Sequence, residues 1–582
     1  MATSPPAEER FSPPPSRAEK WLPLFIPLTS FAFFICLYLF RSFDDNRLTS
    51  WESVFAHMEA GRVMAIFIGA AALSIFLSVL RFPLRRRSLF LFLLSYAIAL
   101  PLWSEPEVIV DASRYFTEAK HLAVYGIGFF FRSWGAGIDA WTDMPLLPLI
   151  YGLIFKVFGE QRILIQAANT AFYAGSVVLT SHIGRRLWDE DTGFFGGLML
   201  LGVPFLITQA PLMLVDVPTM FFFLLSVLTF LGALDRGGWM IAAAGLSLVL
   251  AFFTKYSIAM MLSIHAVVLL VLFIEARPPS DSLSTGRSRR LYAVRALQVA
   301  IVAAVGIGLV VALKQEVFLT QIRLLMEYQG PGLRRWGESN LSTFFFQTHP
   351  FIPILAAGSA LTALKRRDPR FVITAWLVVL VLVLRIRRIR YVIMVFPMLC
   401  LMASYGLMRL GSVRAVRAAV TTVVVFSLAL ALFVYLPFLR KISTVNLVAA
   451  GDFVDGIGKG EVRVETILPD DPVMNPAVAV PLLDFSMQRH FVYDYDAAAY
   501  RQPWESIATS PLRFTWRYQN PSYYRQGRDS QKLAALVVIA NSTDAALPSR
   551  IKAEAEAFSK KKVFSVSEGV FQFQTLVSVW YN

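Results

Sequence analysis

The amino-acid sequence predicts an all-α polytopic membrane bundle of about thirteen transmembrane helices, followed by a soluble C-terminal domain of α/β or α+β type. Three observations carry the prediction. Of 582 residues, 56% are hydrophobic and only 16% charged, with a mean hydropathy of +0.56, whereas soluble domains carry about 25% charged residues. Many windows, among them 21–40, 63–80, 257–274 and 418–436, reach the roughly 18 predominantly apolar residues needed to cross a bilayer. Near residue 438 the composition turns richer in Asp, Gln, Asn and Tyr, which marks the start of a water-facing unit.

Hydropathy places the spans near 22–40, 63–80, 88–103, 161–180, 192–208, 212–232, 238–253, 257–275, 292–313, 350–364, 371–385, 391–409 and 418–437. Residues 1–20 are Pro- and charge-rich and lack a short apolar core ending in a small-residue cleavage site, so they read as a cytoplasmic tail and not as a removed signal. Arg81 with Arg85, Arg86 and Arg87, Arg185 with Arg186, Arg287 with Arg289 and Arg290, Lys365 with Arg366 and Arg367, and Arg409 with Arg414 and Arg417 all fall on one face. The positive-inside rule makes that face cytoplasmic. An odd number of spans then leaves 438–582 extracytoplasmic, and 21–437 forms the transmembrane domain. Arg385, Arg387, Arg388 and Arg390 break the pattern by landing outside. The expected location is a multi-pass position in a bacterial or archaeal plasma membrane more than in the ER.

Three outer segments, 104–160, 314–349 and 438–582, are too long to be connectors. In the first, Tyr115, Ala119, Leu122 and Ala123 share a helical face, and residues 146–158 are apolar but short, as in an interfacial helix. In the last, residues 462–467 alternate like a strand, 536–539 form a buried-strand candidate, 551–560 a helix and 569–580 a further strand.

Net charge is +15, but the basic residues sit in the short loops that orient spans, so nucleic acid is not an expected partner. Cys36 and Cys400 both fall in apolar spans and imply no disulfide framework or CxxC metal site. No phosphate-binding loop, dinucleotide fingerprint, zinc spacing or Ser-His-Asp arrangement is present.

The informative residues are charges at membrane boundaries. Asp111 opens the stretch after Val108, Ile109 and Val110. Its carboxylate could accept a proton from a hydroxyl or cap a helix. Asp143, in Trp141-Thr142-Asp143-Met144-Pro145, precedes the interfacial helix and suits a cap better. Asp216, before Pro218, is an ionisable residue at the end of an apolar span, which points to function or to capping of a helix restarting at the proline. Lys255 interrupts two apolar spans and suits a phosphate or a snorkelling position at the interface. Arg385-Ile386-Arg387-Arg388-Ile389-Arg390-Tyr391 sets four guanidiniums at the outer surface, where arginine is suited to phosphate.

In order, these pieces resemble the GT-C superfamily of membrane glycosyltransferases, nearest to the protein-mannosyltransferase and aminoarabinose-transferase-like group (glycosyltransferase family 39 and relatives). Asp111 is followed four residues later by Tyr115. The pattern P-L-x-Y then F-K-x-F-G stands as Pro148-Leu149-Ile150-Tyr151 and Phe155-Lys156-Val157-Phe158-Gly159. A helix ends in Gly184-Arg185-Arg186-Leu187. An L-T-K-G-like motif reads Phe253-Thr254-Lys255-Tyr256, and R-Y before a proline reads Arg390-Tyr391 with Pro397. The resemblance covers about 88–437 and leaves two N-terminal spans and the C-terminal domain outside it. Ala112, Asp143 and Tyr256 depart from the family's usual residues.

The resemblance implies inverting transfer of a sugar from a polyprenyl-phosphate donor to a hydroxyl on a glycan, lipid or protein, outside the cytoplasm. Asp111 would orient or deprotonate that hydroxyl. Lys255, Arg388 and Arg390 would stabilise the leaving phosphate, with Asp216 orienting basic groups or a metal and Tyr115, Tyr391 and Asp143 beside the substrate. No cofactor is fixed by it, and a divalent metal stays open. The rival classes are a secondary transporter, which expects internal repeats and a midplane site, and a membrane polysaccharide polymerase or ligase.

Overall fold

A computed structural model describes residues 17–80, 86–135, 144–276, 283–324, 326, 338–467, 475–493, 515, 521–525, 533–542, 546–566 and 574–582. Among the described residues, nine helices are long and apolar enough to cross a membrane: Lys20–Leu39, Ala60–Val79, Arg87–Ser104, Arg162–Leu187, Asp216–Arg236, Ile258–Glu275, Arg289–Leu313, Ile389–Leu410 and Val413–Leu439. They bury their polar backbone groups in internal helical bonds, as a bilayer demands. Their outer faces expose Phe76, Leu93, Leu297, Val305 and Leu309, apolar surface that suits lipid. The chain is thus an integral multi-pass membrane protein, and the predicted fold class is borne out.

The remaining four predicted spans are helices, but short ones. Residues 192–208 split into Glu190–Leu200 and Pro204–Gln209 at Gly202 and Pro204, and Trp239–Phe252, Phe371–Val383 and Phe351–Arg366 have 14, 13 and 16 residues. Hydropathy counts apolar turn residues such as Phe253 and Leu384 into the spans, although the helices stop before them. Gly184, part of the G-R-R-L pattern, has a packing reason. A Cβ there would come within 2.6 Å of the Gly193 Cα, so glycine lets Arg162–Leu187 and Glu190–Leu200 cross closely.

The basic loops meet at one end of the bundle. Arg87 pairs with Asp191 at 2.6 Å, Arg186 with Asp235, Arg370 with Glu275 at 2.6 Å, and Trp188 bonds Asp368. Arg390 starts the span that Arg409 finishes, so the outer arginine cluster stands about 30 Å away at the opposite end.

The C-terminal unit is a five-stranded mixed sheet in the order β2-β1-β3-β5-β4, from β1 (Glu461–Thr466), β2 (Phe491–Val492), β3 (Leu533–Ala540), β4 (Lys560–Phe564) and β5 (Leu576–Tyr581). β1 runs parallel to β2 and β3, whereas β5 is antiparallel to β3 and β4. The helix expected at 551–560 is shorter, Ser549–Ala555, and Lys560 already belongs to β4. The helix Pro476–Ser486 docks this unit on Asp111–Tyr125: Asp484 accepts from Lys120 at 2.5 Å and from the Tyr524 hydroxyl at 2.8 Å, and Phe485 packs on Phe116. The soluble unit therefore covers the end of the bundle away from the basic loops.

Candidate active site

Four charged side chains from distant parts of the sequence join at that covered end. Asp216 is fully buried. Its Oδ1 accepts from Lys255 Nζ at 2.5 Å, and its Oδ2 from Arg390 Nε and Nη2 at 3.1 and 2.8 Å. The same guanidinium reaches across with Nη1 to Asp111 Oδ2 at 2.6 Å. One planar fork thus ties together two carboxylates, a geometry lysine cannot reproduce.

Local structure explains how each side chain arrives. Asp111 and Asp216 are the first residues of Asp111–Tyr125 and Asp216–Arg236, and the N-caps, Val110 and Val215, make no side-chain cap bond. Neither carboxylate is spent on capping; each sits in a first turn, where the helix dipole favours negative charge. Lys255 follows Trp239–Phe252 in the break before Ile258–Met261. It does not snorkel: it is buried, points at Asp216 and lies 4.5 Å over the Tyr391 ring. Tyr256, where the family pattern has Gly, bonds its hydroxyl to that of Tyr391 at 2.7 Å. Arg390 belongs to the short helix Ile389–Val392, entered through Arg385 at a left-handed φ of 54°. Arg388 stands 5.7 Å over the Tyr391 ring. Tyr115 is buried and takes a bond from Arg114 at 3.0 Å. Asp143 lies outside the described residues.

Burial alone would raise the Asp111 pKa, but Arg390, Arg114 and Arg388 outweigh it and hold the carboxyl below the usual carboxylate range. Asp111 and Asp216 lie directly between the cations, so the protein itself offsets their repulsion. Among the described residues no group of three His, Cys, Asp or Glu could hold a metal ion. Both carboxylates are engaged by cations, so this site does not fit a divalent metal.

A supporting set around Asp216 is not evident from the sequence. The Tyr151 hydroxyl lies 2.8 Å from both Asn169 Oδ1 and the Leu214 carbonyl and shares its one proton between them, and Asn169 donates to the Leu212 carbonyl. Glu107 accepts from the Met213 backbone and pairs with Arg162. These bonds fix the non-helical residues before Asp216. Tyr151 belongs to the P-L-x-Y pattern, which could have marked it; Asn169, Glu107 and Arg162 carry no comparable signal.

Residues 143–307 match the family model of the dolichyl-phosphate-mannose-protein mannosyltransferases, a GT-C family, so the resemblance read from the motifs is borne out over that stretch. No curated protein matches the chain. Among solved structures, ArnT from Cupriavidus metallidurans bound to undecaprenyl phosphate aligns at 15% identity and a TM-score of 0.49, covering 84% of this chain and 97% of that one. The Archaeoglobus fulgidus oligosaccharyltransferase tethered with an acceptor peptide aligns at 12% identity and a TM-score of 0.39, covering 60% and 55%. Both likenesses are too distant to assign a role to any residue.

Proposed function

We propose that this membrane protein is a GT-C-type glycosyltransferase that moves a sugar from a polyprenyl-phosphate donor to an acceptor hydroxyl on the non-cytoplasmic face, with inversion. The observation that carries the reading is the buried Lys255–Asp216–Arg390–Asp111 chain at the end of the bundle opposite the basic loops, which the positive-inside rule makes the outer end. The match of residues 143–307 to a family of lipid-phosphate-sugar transferases supports it. A transporter would carry its site near the midplane, whereas these charges gather at one end.

In this reading the donor phosphate binds Lys255 and Arg390, with Arg388 adding charge and Tyr391 flanking the lysine. The acceptor oxygen attacks the anomeric carbon from the face opposite the phosphate. Its bond to carbon forms as the carbon–oxygen bond to phosphate breaks, and the electron pair goes to the phosphate oxygen. Fixed cations stabilise that developing charge without reorganising. Asp111 accepts the hydrogen bond of the acceptor hydroxyl and orients it. Its lowered pKa makes it a weak base, so orientation is its main part, and the proton passes to the Asp111 carboxylate late, once the oxygen has begun to bond to carbon and become acidic. Tyr115 belongs beside the acceptor, and the C-terminal unit, docked through Pro476–Ser486, covers this end of the bundle. Bilayer lipid surrounds the bundle, and the acceptor is a glycan, a lipid or a protein.

The test is sugar transfer by purified protein from a panel of polyprenyl-phosphate sugars. Wild type should transfer one of them with inverted stereochemistry, and Arg390→Lys should lose at least about 100-fold because charge is kept while the two-carboxylate fork is lost. Full activity in Arg390→Lys would remove the site from the reaction.

A further inference from the structure

The backbone that presents Arg390 is held by an earlier segment of the chain, which the connection between the first two spans anchors in turn. Glu338 is buried, and its Oε2 accepts from the Ile389 N–H at 2.8 Å, one residue before Arg390. Nearby, Thr343 donates its hydroxyl to the Arg387 carbonyl at 3.1 Å. The segment carrying Glu338 and Thr343 is itself fixed by the connection between the first two spans. The Ser339 N–H and hydroxyl bond Asp45 at 2.9 to 3.1 Å. Asp44 accepts from the Ser342 hydroxyl at 2.5 Å, the Gln347 amide at 3.0 Å and the Trp51 N–H at 2.8 Å. Buried acceptors with satisfied partners over-determine a backbone position, and a donor left without its acceptor costs more than the bond was worth.

We propose that Glu338 is a positioning residue for the donor-phosphate site: by holding the Ile389 N–H it fixes the direction from which Arg390, and Arg388 beside it, meet the phosphate. The connection between the first two spans, through Asp44 and Asp45, is the buttress against which it does so. This rests on the proposed donor site. It also gives the two N-terminal spans a use, because they anchor the segment that aims the arginines. Burial raises the Glu338 carboxyl to about 7, against the Ile389 bond and Arg388, which lower it, with Asp45 and Asp44 adding to the rise. Those are the charged groups facing it, so both protonation states stand near neutrality, and either can accept the amide hydrogen bond.

The experiment measures binding of a polyprenyl monophosphate to the full-length protein in detergent. Glu338→Ala should raise the Kd about tenfold, the loss of one well-placed buried hydrogen bond, with the melting temperature little changed. Glu338→Gln, whose amide oxygen can still accept from Ile389, should return to within about threefold of wild type. Thr343→Val should weaken binding in the same direction by a smaller factor, and it keeps the inference testable if Glu338→Ala fails to fold. Wild-type affinity in Glu338→Ala or, where that variant does not fold, in Thr343→Val overturns the inference, as does a Gln variant no better than Ala. The outcome for Arg390→Lys separates the two claims. If it binds as tightly as wild type, the donor-site reading falls; if it binds weakly while Glu338→Ala binds normally, only the positioning role falls.

Discussion

Replacing Asp216 with alanine would leave Lys255 without a carboxylate and Arg390 with only Asp111. Asp216 is fully buried and takes three hydrogen bonds from the two cations. Breaking a buried pair by removing one partner costs about 3–5 kcal/mol, because a charge stays buried without its counter-ion. The exposed Arg186–Asp235 pair at the other end of the bundle is the natural comparison; for such pairs the cost is about 0–1 kcal/mol. At about 2 cal/mol/K per residue, 4 kcal/mol over this chain of 582 residues shifts the melting temperature by about 3 °C. A membrane-held bundle that keeps much of its helix on melting would show a larger shift. The assay is thermal unfolding in detergent of Asp216→Ala, Asp216→Asn and Asp235→Ala beside wild type. Asp216→Ala should fall by at least about 3 °C and Asp235→Ala by less than about 1 °C, with Asp216→Asn between them. If the two alanine variants melt together, the buried chain is not the energetic centre described here.

Further outcomes follow from the same geometry. Asp111→Asn should fold normally and lose most transfer, since Asn fills the same space in the first turn but leaves Arg390 short of one charge; near-normal turnover would remove Asp111 from the reaction. Because Asp111 is held ionised by its arginine neighbours, its protonation should not appear as an inflection in the transfer–pH profile above about pH 4, the ordinary carboxylate value. His121, packed on Tyr523 and bonded to the Thr117 carbonyl, has its pKa lowered by burial from 6.5 to about 4. Its contribution is present above pH 6.5 and is lost as pH falls through 4. The loss is up to about 3 kcal/mol, and melting curves of His121→Phe should lack that part of the acid sensitivity. Reporters fused after Lys365 and after Asn582 should fall on opposite sides of the membrane; the same side for both would contradict the assigned orientation.

Much of this architecture can be read from residue patterns because a bilayer imposes a single rule, length of apolar run, on every span. That rule finds the nine long spans but misjudges the short ones, since it cannot distinguish the apolar turn residue Phe253 from the helix ending at Phe252. Charges at membrane boundaries are costly, so Asp111, Asp216, Lys255 and Arg390 stand out individually. Their mutual bonds do not, because residues 39 to 279 positions apart are joined only by helix packing. For the same reason Asp111 and Asp216 can be mistaken for caps in the sequence. Glu338 and Glu107 give no signal, as each acts on a backbone N–H whose identity only the fold supplies.

The most direct test of the central claim is a cryo-EM structure of the full-length protein in nanodiscs with a polyprenyl-phosphate sugar. The account predicts phosphate density bonded to Lys255 Nζ and the Arg390 guanidinium, with the anomeric carbon between the phosphate and Asp111. A phosphate bound elsewhere, with the Lys255–Asp216–Arg390–Asp111 chain intact and away from the sugar, would contradict it.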